Sequence, residues 1–188
     1  MGKTSIKPTN DYCPQTLFLY GTYDENGKPD FALFCWFSYI WDGELGVMCC
    51  IGGEKQTKDN IHRNKIFSAN LVTEKMLPFA DYLGNTSGFD PEKIKLDIGK
   101  GAVLPVPVVN DSPVIYELEV KQFIPLEDGE VMLCRIHNVL QDDLLISKDM
   151  SIEQKLLQIT PAMATCRRYF GYLGADLGAW GEPMKKVE

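Results

Sequence analysis

Two strand-length segments, Phe31-Ala-Leu-Phe-Cys-Trp-Phe37 and Leu45-Gly-Val-Met-Cys-Cys-Ile51, are apolar along almost their whole length. A strand with one wet face alternates apolar and polar residues, and neither segment does. Both faces of each must therefore be covered. A chain of 188 residues is expected to form a single domain, 1–188, with a substantial core, so a barrel interior can cover one face. The second face needs a partner subunit, a cofactor ring or packed helices. The first two are expected.

The remaining pattern suits an antiparallel barrel. Residues 1–14 read as an extended leader, with Pro8 and Pro14 blocking regular structure. A strand over 17–23 runs into an Asn26-Gly27 hairpin turn, then a strand over 30–37, a turn at 41–43 and a strand over 45–51. Helical pattern follows over 55–65, a strand over 66–73 and a short helix over 75–83, with Pro78 early enough to be tolerated. A polar loop covers 84–91, a short helical piece carries Lys93 and Lys95, and 98–110 is expected to be irregular. Residues 112–124 alternate clearly and return over 131–141 through a turn at 126–130. Ser151 and Gln154 have capping-box spacing at the head of a short helix, 151–158. A Gly/aromatic stretch, 169–174, precedes a polar tail, 175–188. About six strands joined mostly by hairpins, with short helices across the openings, fit a small barrel; doubly wound parallel folds need strand–helix alternation throughout.

Several functions are excluded or disfavoured. A net charge of −7 argues against a nucleic-acid surface, which needs a clustered basic face. No apolar run reaches membrane-spanning length and the first residues lack a signal-peptide core, so a cytoplasmic location without a membrane partner is expected. The six cysteines form no Cys-x-x-Cys pair and read as free thiols. Cys49 and Cys50 are adjacent in a strand and point to opposite faces. With only His62 and His137 besides, both read as surface or satisfied histidines, there is no metal cluster and no catalytic triad. Gly-x-Ser-x-Gly and the two glycine-rich nucleotide-binding loops are absent. No catalytic residue is assigned.

An anion site remains. Gly52-Gly53 allows close backbone approach, and the following helix start offers unpaired amides and partial positive charge. Lys55 adds a full charge and Thr57 a hydroxyl. Trp36, Phe37, Tyr39 and Trp41 lie just upstream. An apolar aromatic wall beside an anion cradle suits a planar heteroaromatic ligand with a phosphate tail. An aromatic core stripe is the competing reading, and haem or a pyridoxal derivative is the least favoured ligand.

The ordered set Gly27-Lys-Pro-Asp30, Phe34-Cys-Trp-Phe-Ser38, Lys55-Gln-Thr-Lys-Asp-Asn-Ile61, Phe67-Ser-Ala-Asn-Leu71, Asp81-Tyr-Leu-Gly-Asn-Thr-Ser-Gly88 and Tyr169-Phe-Gly-Tyr-Leu-Gly174 resembles the flavin reductase-like family, and within it the flavoredoxin branch. Each motif is loose, but together they span nearly the whole chain in order. The resemblance implies a mainly β, FMN-binding split β-barrel of Greek-key type, working as a homodimer with the flavin near the subunit interface. It implies oxidoreductase or electron-transfer activity, with NAD(P)H or a redox partner protein supplying or taking electrons. The alternative is a flavin-binding module without turnover that stores or delivers cofactor. Carried over by resemblance, Trp36 and the backbone of Phe34, Cys35, Phe37 and Ser38 would line the isoalloxazine, and Cys49 and Cys50 would pass near the ribityl chain or phosphate. Lys55 and Thr57 would bind the phosphate, Lys93 would reach the flavin or its phosphate, and Phe170 would pack on the cofactor. Asp30 stands where the family commonly has Asn; facing the flavin or its phosphate, it would weaken binding or need Lys93 or Lys55 as its partner.

Overall fold

The computed structural model describes residues 2–86, 96–146, 149–165 and 167–172. Its central sheet has seven strands. They are β2 (Phe18–Tyr23), β3 (Pro29–Phe34), β4 (Phe37–Trp41), β5 (Leu45–Gly52), β6 (Ile66–Leu71), β9 (Val114–Leu126) and β10 (Gly129–Gln141). Their order is β3-β2-β6-β9-β10-β5-β4, and every pairing is antiparallel. β3 and β4 are thus the two edges of the sheet, yet only Cys35 and Trp36 separate them in the chain. The sheet must curl until its edges meet, and the covalent chain closes the seam rather than a ladder of bonds between β3 and β4. This is a split barrel.

The seam corrects one sequence expectation. Residues 30–37 form two strands, because β3 pairs with β2 while β4 pairs with β5, and one straight strand cannot serve opposite edges. The corner is held by the backbone: Cys50 N donates to Trp36 O at 3.0 Å and Phe37 N to Cys35 O at 3.2 Å. The Asn26-Gly27 turn forms as the sequence predicts, with Gly27 at φ +74°.

Phe18, Tyr20, Phe34, Val47, Cys49, Phe67, Leu118 and Met132 fill the barrel. Tyr20 stacks on Phe34 and Phe18 on Phe37, with ring centroids 4.5 Å and 4.2 Å apart. A second cluster lies outside the wall, where Phe31 and Leu33 of β3 meet Ala80 and Leu83 of helix α2 (Leu77–Asn85). A helix therefore covers the second face of β3, where a partner or a cofactor ring was expected. The second face of β5 differs: Met48 remains 39% exposed and the neighbouring Trp36 51%.

Two smaller sheets flank the barrel. β7 (Ile98–Lys100) pairs with β8 (Pro107–Val109) inside the stretch expected to be irregular. The turn after β7 is anchored by Glu117, a buried carboxylate accepting backbone N–H bonds from Ala102, Val103 and Leu104 at 2.8, 2.9 and 2.5 Å and the Asn138 amide at 2.8 Å. β1 (Gln15–Thr16), β11 (Met163–Thr165) and β12 (Arg168–Phe170) form the other sheet, which sequence reading did not anticipate. Helix α1 (Gln56–Asn64) follows β5, and α3 (Ile152–Ile159) carries the expected capping box at Ser151 and Gln154. Both histidines are satisfied: His62 and His137 contact Glu130 and Glu119, each at 2.6 Å. No helix among the described residues is long and apolar enough to cross a membrane.

Candidate functional site

A cleft of about 850 Å³ opens along the seam. Three parts of the chain build it. The β3–β4 corner supplies Leu33, Phe34, Cys35 and Trp36, and β5 with its following turn supplies Cys50, Gly52 and Lys55. Helix α2 and the β1–β11–β12 sheet form the far side, with Asp81, Asn85, Thr165, Arg167 and Tyr169 among the lining residues.

Five of the sequence-predicted residues meet here: Phe34, Cys35, Trp36, Cys50 and Lys55. The glycine pair is shaped as expected. Gly53 has φ +66°, and a Cβ added there would meet nothing within 4 Å. A Cβ on Gly52 would stand 3.7 Å from the Trp36 ring, so the glycine leaves that part of the indole uncovered. Lys55 is the N-cap of α1 in extended conformation, and no side chain caps the helix. The first-turn amides are therefore free of a side-chain acceptor, as an anion cradle requires. Lys58 secures the turn from behind, donating to Gly53 O at 3.1 Å and Glu54 at 2.8 Å.

Other predicted residues lie elsewhere. Cys49 is fully buried and points into the barrel, so its side chain does not line the cleft. Phe37 packs in the core on Phe18, and Ser38 is exposed on β4 outside the cleft. Thr57 is 3% exposed and donates its hydroxyl to Asp30 Oδ2 at 2.7 Å. Asp30 does not line the cleft, and its partners are Thr57 and Asn60. Phe170 sits on β12 but does not line the cleft; its neighbour Tyr169 does. Lys93 lies outside the described residues, as do Cys166 and the tail 175–188.

Sequence reading missed the far side. Tyr169 donates to Asp81 Oδ1 at 2.5 Å, and Asn85 donates to the same carboxylate at 2.8 Å. Burial, then the contact with Asp81, pushes the Tyr169 hydroxyl up to about 12, so it stays a donor at neutral pH. Arg167 adds a second cation from the β11–β12 turn, with φ +59°. The Asp81–Gly88 and Tyr-Phe-Gly motifs contain Asp81, Asn85 and Tyr169, but the sequence alone did not mark these three as site residues. Burial also raises the Cys35 thiol, and burial followed by Cys49 and Glu130 raises that of Cys50. Both are held as neutral thiols rather than nucleophilic thiolates. Among the described residues no group of His, Cys, Asp or Glu could hold a metal ion. A half-exposed indole, Gly52 and Lys55 along one cleft, with the uncapped first turn of α1 following Lys55 in the chain, fit a planar ring carrying an anionic tail.

Comparison with curated protein sequences gives no match. Solved structures do resemble the chain. Flavoredoxin of Desulfovibrio vulgaris (Miyazaki F) superposes with a TM-score of 0.83 at 20% identity, covering 97% of this chain and 100% of that one. Nitrilotriacetate monooxygenase component B from Bacillus cereus gives 0.81 at 16% identity, over 95% and 100%. The FMN-binding protein from Thermus thermophilus, solved with p-hydroxybenzaldehyde, gives 0.76 at 15% identity, over 95% and 98%. At such identities these likenesses establish the split-barrel fold alone. The family model described as "Flavin reductase like domain" matches residues 11–152, most of the chain, and the chain belongs to that family.

Proposed function

We propose that the seam cleft holds FMN and that the protein is a flavoredoxin-like oxidoreductase or electron carrier. The observation that carries this is the convergence of Trp36, Gly52 and Lys55 on one cleft. Trp36 and the Phe34–Cys35 backbone would hold the ring, and Lys55 with the first-turn amides of α1 the phosphate. When bound, the flavin supplies one- or two-electron chemistry, with NAD(P)H or a redox partner protein as the other party. The chain's own residues position it. Leu33 and Phe34 keep part of the cleft dry, and Tyr169 holds a proton on the far side. The similarity to an FMN-binding protein and to a monooxygenase component supports this reading.

A homodimer is part of the proposal. Trp36, Met48 and Ile124 lie on outward-facing positions of the β4–β5–β10–β9 wall and stay partly exposed. Exposed apolar side chains grouped in this way support an interface here, and Trp36 belongs both to the patch and to the cleft. A flavin-binding module without turnover is the second reading. It is favoured by Tyr169, Cys35 and Cys50 all remaining protonated, so none of them supplies a base.

One experiment separates the readings. The purified protein, given FMN and freed of excess, is expected to show flavin absorbance in the visible. Anaerobic NADH or NADPH bleaches it if the protein turns over, and leaves it yellow if it only stores flavin. Protein that stays colourless and does not quench FMN fluorescence refutes both.

A further inference from the structure

Asp30 faces helix α1 from the edge strand β3. Its Oδ2 accepts the Thr57 hydroxyl at 2.7 Å and a longer bond from Asn60 Nδ2 at 3.5 Å. Asn60 in turn accepts from Arg63. Asp24 and Lys28, in the turn before β3, are the remaining charged groups that act on this carboxylate, with opposite effect. Because Thr57 is buried, its single hydroxyl proton stays with Asp30, and the oxygen offers only lone pairs to anything else. The position otherwise suited to donate to an anion is therefore already spent on an internal one.

The carboxylate also carries charge. It lies one hydrogen bond from the first turn of α1, where the partial positive end of a helix favours an anion. A phosphate drawn to Lys55 and the same turn meets a like charge held nearby in a half-buried setting, where water screens it less than at an open surface. Asp30 does not itself line the cleft, so its effect reaches a bound flavin only through Thr57 and this helix turn.

We propose that Asp30 is a selectivity residue: by occupying Thr57 and the head of α1 it weakens the grip on a flavin's phosphate while leaving the ring's environment unchanged. The cleft then distinguishes poorly between FMN and unphosphorylated riboflavin, and it holds FMN in an exchangeable way. This inference rests on the flavin reading of the cleft.

The test is fluorescence-quenching titration of the full-length protein with FMN and with riboflavin at one pH and ionic strength. Native protein is compared with Asp30→Asn and with Asp30→Ser; each variant keeps an acceptor for Thr57 without the charge. Circular dichroism and thermal unfolding confirm that at least one variant folds. FMN is expected to bind about tenfold more tightly, or better, in the folded variants, with riboflavin changed by less than about twofold. An FMN affinity that is unchanged or weaker overturns the inference, and so does equal tightening for both flavins. Native protein that binds both flavins with a ratio unmoved by the substitutions refutes the inference alone. Native protein that binds neither refutes the flavin reading, and the inference with it.

Discussion

Glu117 shows how one side chain fixes a segment that has little regular structure of its own. Three successive backbone amides and Asn138 converge on its carboxylate, and Gly101 is so close that an added Cβ would lie 2.8 Å from Oε2. Burial pushes this carboxyl up, but the four donors outweigh burial and hold it below the ordinary carboxylate range. A depressed folded-state value contributes stability that is present above the unfolded value and is lost as pH falls through the folded one. Glu117→Ala is expected to cost about 3 kcal/mol at neutral pH by leaving three amides without an acceptor. The loss should shrink at acid pH, below the ordinary range of a glutamate. Urea unfolding at several pH values checks both; an equal loss at all pH values would show that the charge is not what matters. The same scale shows where reading by residue type runs out. Cys49 and Cys50 differ only in strand parity, as do Tyr169 and Phe170, and in each pair only one side chain lines the cleft. For the cysteines the alternation was legible, and their separation follows from it. For the aromatic pair no strand was recognised, so nothing in the motif told which ring faces the cleft.

Elements whose signals are local were readable. The Asn26-Gly27 hairpin, the 112–124 strand and the α3 cap all depend on neighbours within a few residues. The α3 capping box is complete, with Gln154 N donating to Ser151 Oγ at 3.2 Å and Ser151 N to Gln154 Oε1 at 2.8 Å. Ser151→Ala is expected to destabilise the fold by about 1 kcal/mol, read as a lowered thermal midpoint; an unchanged midpoint would mean that α3 frays without consequence for the barrel. Elements defined by distant partners were not readable. The break between β3 and β4 has no glycine or proline to mark it, since it arises because the two strands belong to opposite edges. β11 and β12 are three residues each, and their turn places Arg167, not a glycine, at positive φ. The cleft's near wall was therefore legible and its far wall was not. Helix α2 was recognised, but its placement over β3 was not, because nothing local in either element says which of three covers the strand receives.

At the scale of the molecule, the apolarity of the two central strands divides in two. α2 and the barrel interior account for β3, and the second face of β5 is left for the proposed homodimer. Met48→Glu places a charge at the centre of that patch while pointing away from the barrel core. It is expected to convert a dimer to monomer in sedimentation velocity with little change in the circular dichroism spectrum. A native protein that already sediments as a monomer at micromolar concentration would remove the dimer from the proposal. The seam has a further consequence, for the chain as it is being made. β5 emerges from the ribosome with only β4 for company; its other neighbour, β10, lies beyond β6 and β9 in sequence. Until residues 129–135 have been synthesised, the β4–β5 hairpin carries an open strand edge and two apolar faces, a combination that pairs readily with other chains. The wall that carries Trp36 and Cys50 into the cleft is thus also the part of the nascent protein most in need of protection.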